Sequence, residues 1–182
     1  MALEFTTSYL SDSLSLFRYY KKLGERAMAQ VPDDQLFYSQ DEDCNSIAII
    51  VKHLAGNMLS RWTDLLISDG EKPNRNRDNE FENPPRDREE LMRAWEQGWT
   101  CLLNALESLK DSDLNQRIFI RGEAHSVMQA INRQLCHYSY HVGQIVFAAK
   151  QRRTGDWNSL TVPRGKSADY NRRVTAKEAS QR

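Results

Sequence analysis

Two histidines four residues apart, in His137-Tyr-Ser-Tyr-His141, are the residues in this sequence best spaced for chemistry. On a helix, side chains four apart stack on one face with Cβ atoms about 5–6 Å apart. That spacing lets two neutral imidazoles reach one metal ion, as in HExxH motifs. The glutamate of that motif is missing here, so no metalloprotease is implied. The pair equally fits two imidazoles at the edge of an apolar face with no ion between them. A metal site needs a third protein ligand, and His53 is the one other histidine inside a long helical pattern. On the wheel it lies opposite the centre of the Leu54, Met58, Trp62 stripe, near Ile49, Ile50 and Asn57. Residues 47–51 are apolar all round, which allows this half of the helix to be covered on both sides. The three histidines therefore either meet in a groove between helices or face solvent separately. His125 precedes a helix cap and reads as a loop residue.

Other side chains near the pair have a bland reading and a functional one. Gln144, one turn beyond His141, can orient a ligand or be a surface amide. Arg133, one turn before His137, can meet an anionic substrate or stay solvated. Tyr138 falls on the apolar stripe, as do Trp62, Trp95 and Trp99, and all four read as core. Cys136 points elsewhere on the wheel and reads as a buried thiol.

These residues need helices to carry them. A first helix is expected over about Thr6–Gln30 from the spacing of Leu10, Leu14 and Phe17, ended by Pro32. Residues 33–44 read as a polar connection. A second helix opens at Asn45 or Ser46 and carries Ile47, Val51, Leu54, Met58, Trp62 and Leu65. Residues 69–90, with eight acidic and five basic residues and Phe81 as their one aromatic, read as a long polar loop. A third helix starts at Asp87 and runs through Leu91, Trp95, Trp99 and Leu102 to about Asp111. Residues 117–122, RIFIRG, predict a short strand or half of a hairpin. Ser126 and Gln129 then match a capping box, opening a fourth helix that reaches about Arg153 before Gly155. Helices of about 24 residues would be ~36 Å long, which suits an all-α four-helix bundle. The bundle takes residues 1–155. Residues 156–182 form a tail, docked at first through Trp157, Leu160 and Val162 and frayed over its last ten residues.

Composition narrows the classes. Lys+Arg and Asp+Glu are 25 each, which argues against a bulk nucleic-acid binder. Hydrophobic residues at 40% exclude a disordered chain. The apolar run Ile47–Val51 is far short of the ~20 residues of a membrane span. The opening residues lack a basic, then apolar, export signal. Three cysteines without CxxC spacing, Cys44, Cys101 and Cys136, fit a reduced cytoplasmic protein with buried thiols.

The segments SIAIIVKHLAGNMLSRW and INRQLCHYSYHVGQIVFAAK resemble the DinB/YfiT-like superfamily of metal-dependent four-helix proteins. The tail WNSLTVPRGKS resembles the C-terminal segment of an uncharacterised DinB-like subfamily. The resemblance implies that His53, His137 and His141 bind one divalent transition metal, zinc or nickel being the ions best suited to imidazole. It implies an enzyme of the thiol-transferase or hydrolase kind, in which a metal-bound water or thiol is the nucleophile. A small-molecule substrate, a low-molecular-weight thiol as cofactor and a homodimer belong to the same expectation. The alternative is a non-catalytic metal-binding bundle with a structural, stress-related or partner-binding role.

Overall fold

The computed structural model describes residues 8–179. Most of them are helical. Each of the four long helices starts at a side-chain cap, which supplies an acceptor for an otherwise unpaired amide and typically contributes about 1 kcal/mol. Ser8 caps α1 (Tyr9–Met28), and after it the short α2 spans Asp33–Leu36. Ser46 caps α3 (Ile47–Trp62), and Asp87 caps α4 (Arg88–Glu107). Strands β1 (Arg117–Ile120) and β2 (Glu123–Ser126) pair antiparallel. Ser126 and Gln129 form the expected reciprocal box at the start of α5 (Val127–Arg152). A last short helix, α6, covers Ser167–Thr175.

Helix α1 packs on α5 and α4, and α3 packs on α4 and α5. Each long helix sends one aromatic ring to the centre. Phe17 lies 6.2 Å from Trp62, 6.5 Å from Trp99 and 5.9 Å from Tyr138, ring centre to ring centre. These are edge-on and tilted contacts, the arrangements that aromatic quadrupoles favour. Trp62, Trp95, Trp99 and Tyr138 are all buried.

Several local expectations need correction. Thr6 and Thr7, at the expected start of the first helix, lie outside the described residues. Helix α1 ends at Met28, and the supposed polar connection after it contains α2, anchored by the fully buried Leu36. Helix α3 stops at Trp62 because Thr63 is extended and Asp64 takes a left-handed φ of 51°. Asp tolerates that region better than most residues. Leu65 still reaches the core from the turn that follows. The thiols are not buried: Cys44 and Cys136 are exposed and Cys101 is half-buried. Cys136 falls on the outer side of α5, flanked two residues away by the buried Gln134 and Tyr138. The expected strand is a full hairpin, closed by Arg121 (φ 57°) and Gly122 (φ 76°) in the two-residue positive-φ turn that matches strand twist.

In the tail, Leu160 is buried and Trp157 packs against the core. Arg26 donates to the Leu160 carbonyl at 2.9 Å, and Gln30 exchanges hydrogen bonds with the Asn158 backbone. Helix α6 buries none of its residues and was not expected from the sequence. Residues 180–182, part of the stretch read as frayed, lie outside the described residues. No helix among the described residues is long and apolar enough to cross a membrane.

Candidate metal centre

Helix α3 is unusual in being buried on nearly every side. One side meets α4 and α5. The wheel put His53 away from the centre of that side, and there, beside α5, the helix is roofed by the 69–90 loop, whose 3-10 turn Asp78–Phe81 packs on it. The loop is therefore not simply solvated. Lys52 holds it by donating to the Asn79 side chain at 2.9 Å and to the Glu82 carbonyl at 2.8 Å. Asp69 ties its start to the hairpin by accepting from the amides of Arg121 and Gly122, both at 2.8 Å. The roof leaves His53 only 4% exposed.

His53 meets His137 and His141 across the contact between α3 and α5. One nitrogen from each of the three rings lies within 4.8 Å of the others. His137 Nε2 is 3.3 Å from His53 Nε2 and 3.2 Å from His141 Nε2. Ring centres are 4.7–5.3 Å apart and the planes stand steeply to one another. Among the described residues, these three are the one group of histidine, cysteine or carboxylate side chains arranged to hold a metal ion.

The other ring nitrogens decide which atoms are free to bind. His53 Nδ1 lies 2.8 Å from Glu80 Oε2, and His141 Nδ1 lies 2.7 Å from Gln144 Oε1. A ring that donates from Nδ1 to such an acceptor, with no second proton, has its Nε2 lone pair on the side where the three rings meet. His137 Nδ1 is buried without a hydrogen-bond partner among the described residues. A proton on His137 Nε2 can serve only one of the two facing lone pairs at a time, whereas a cation serves all three nitrogens.

The electrostatics favour the same neutral form. Burial, and after it the neighbouring His141 and His53, push His137 down to about 3. Burial also lowers His141, against the opposing effect of its hydrogen bond to Gln144. For Glu80 burial works upward, but the hydrogen bonds from His53 and Arg75 overcome it and hold the carboxyl below its ordinary range. Arg75 grips both Glu80 oxygens, at 2.7 and 2.9 Å. It also reaches Glu71 at 3.1 Å, and Glu71 in turn accepts from Arg61 at 2.9 Å.

Of the remaining residues singled out in the sequence, Gln144 sits against His141 and donates to the Tyr140 hydroxyl at 3.1 Å. Arg133 is exposed and takes no part in the cluster's hydrogen bonds. His125 lies in β2, its Nδ1 3.0 Å from the Glu123 carbonyl, away from the cluster. Sequence reasoning missed Glu80, Arg75 and Glu71 because it read residues 69–90 only as a long polar loop. Phe81 was the available signal: a lone aromatic in a charged stretch needs something to pack on, and it stacks on His53 with ring centres 4.7 Å apart.

A family model described as "Protein of unknown function (DUF1572)" matches residues 4–166. Neither the curated proteins nor the solved structures yield a match.

Proposed function

We propose that this chain, which belongs to the DUF1572 family of proteins of unknown function, is a metal-dependent enzyme built on a DinB-like four-helix bundle. The pairwise packing of the four long helices around one aromatic cluster supports the bundle. The observation that carries the function is the convergence of three imidazole nitrogens from two helices within 4.8 Å, with two of the three rings oriented by acceptors on the far side.

The donor set fits a divalent late first-row ion, zinc or nickel first, held by His53, His137 and His141. Three protein ligands are also the usual number in catalytic zinc sites, where a fourth position serves water or substrate. Bound by these three residues, such an ion would supply Lewis acidity, the property that makes a water or thiol nucleophilic near neutral pH.

The protein's own residues prepare this chemistry. Gln144 keeps a proton on His141 Nδ1, so that Nε2 needs to shed none before it binds. The Tyr140 hydroxyl accepts from Gln144 and keeps its own proton free to donate to a ligand at the exposed rim. Arg133, exposed one turn before His137, is available to an anionic group of a small-molecule substrate. A cytoplasmic homodimer completes the proposal.

The test is activity of zinc- and nickel-loaded protein towards two probes: an activated ester, and an aryl halide offered with a low-molecular-weight thiol. Turnover that His137→Ala abolishes in a folded protein is the expected result. Metal uptake without turnover of either probe would favour the non-catalytic bundle.

A further inference from the structure

We infer that Glu80 is a positioning residue, which fixes the proton of His53 on Nδ1 and so turns the Nε2 lone pair toward His137 and His141. The inference rests on reading the three histidines as a metal site, and it names the group that prepares the ligand from α3.

The argument begins with hydrogen bonds. Arg75 donates to Glu80 through a two-pronged contact, Nε to Oε1 at 2.7 Å and Nη2 to Oε2 at 2.9 Å. A carboxylate gripped this way is ionised and accepts only. The proton in the 2.8 Å contact between Glu80 Oε2 and His53 Nδ1 therefore belongs to the imidazole. In the singly protonated ring, the form a metal ligand must take, that leaves Nε2 bare.

The surroundings leave the ring no alternative. The His53 and Glu80 side chains are only 5% and 7% exposed, so water does not compete for Nδ1. Phe81, the next residue after Glu80, lies on the imidazole face with 29° between the planes and stops the ring from swinging. Helix α3 is cleared for the carboxylate at Gly56, where a Cβ would come within 2.6 Å of Glu80 Oε1. A buried ion pair is poor evidence of stabilisation, since apolar groups of the same volume often do as well. A sealed carboxylate aimed at a ligand nitrogen is the arrangement found behind metal-binding histidines, where its loss typically weakens binding about 10–100-fold.

Two variants separate position from charge. Glu80→Met with Arg75→Met removes the pair together and leaves no lone buried charge between them. Gly56→Ala leaves both side chains intact and displaces the carboxylate. The readouts are the His53 tautomer in metal-free protein by nitrogen-15 NMR, zinc affinity by competition with a chelator, and the absorption spectrum of the cobalt(II) form. The parent should show Nδ1–H on His53. Both variants should lose that preference, bind zinc about 10–100-fold more weakly and shift the cobalt bands, with helical circular dichroism retained. If Gly56→Ala does not fold, the double variant decides alone. An unchanged tautomer with unchanged zinc affinity in the double variant overturns the inference. If the parent binds no zinc, the metal reading fails, while the tautomer comparison in metal-free protein still decides the role of Glu80.

Discussion

The Tyr138 hydroxyl donates to Asn57 Oδ1 at 3.0 Å and accepts from the Trp62 indole at the same distance. Asn57 lies one turn beyond His53 on α3, and Tyr138 follows His137 on α5, so these two bonds fix the register in which the histidines meet. A one-turn slip between the helices would move His53 by about 5.4 Å, more than the 4.8 Å that spans the whole cluster.

Tyr138→Phe tests that register. It keeps the ring contacts to Phe17 and Trp99 but leaves two buried polar groups unpaired. The expected loss is about 1–3 kcal/mol in denaturant unfolding, accompanied by weaker zinc binding. A variant as stable as the parent would mean that packing alone holds the register.

Assembly is tested by sedimentation. Leu16, Tyr19, Tyr140 and Phe147 leave apolar surface on the long helices, and a two-fold, self-complementary contact is the usual way to cover such surface. The expected species at micromolar concentration is a dimer. A clean monomer at that concentration and above it removes the dimer from the proposal.

Much of the positioning machinery was legible beforehand. The caps at Ser46 and Ser126, the aromatic stripe positions and the four-residue spacing of His137 and His141 are local signals, carried by helix periodicity and capping chemistry. The difficulty with His53 was tertiary. Its side of the wheel is apolar enough to be covered, but nothing within α3 says what covers it. The cover is a loop whose Glu71 and Glu80 pair with its own Arg75 and with Arg61 of α3, so it looks, in sequence, like any solvated charged stretch. Charge pairing across a fold has no period. Leu36 was missed for a related reason, since one apolar residue among polar neighbours carries no phase.

The acid side of the stability curve follows from His137. Its pKa is about 3 in the folded protein against an ordinary 6.5, so the unfolded chain binds the extra proton between those values. A depressed folded pKa means that stability is fully present above 6.5 and is lost as the pH falls towards 3. The slope is at most about 1.4 kcal/mol per pH unit for each proton, and His141, lowered in the same direction, adds to it. Carboxylates held below their ordinary 4.5, such as Glu80, contribute only lower down. Urea midpoints of metal-free protein between pH 6.5 and 5 therefore isolate the histidines. They should fall with pH in the parent and fall less in His137→Ala. A flat parent profile over that interval contradicts the buried, neutral cluster.

The metal itself gives the sharpest test. Purified protein should hold one divalent ion per chain at the His53, His137, His141 cluster. The identity of that ion is left open, because the Irving–Williams order makes the element found after purification depend on exposure as much as on biology. His137→Ala and His141→Ala should each lose most of it, since two ligands and water retain such an ion poorly. His53→Ala should do the same, because the third nitrogen comes from α3 and no other candidate ligand joins the cluster among the described residues. Gln144→Ala removes the acceptor behind His141, along with the hydrogen bond to Tyr140, and should weaken binding about 10-fold. His125→Ala should change little, as that ring faces the Glu123 carbonyl in the hairpin. The measurement is elemental analysis of each protein after dialysis against zinc and nickel, with folding checked by circular dichroism. Full metal content in every variant, or none in the parent, would show the site to be wrong. Retention by His53→Ala alone would leave the α5 pair standing. The third ligand would then have to come from another element, a carboxylate of α4 or the tail.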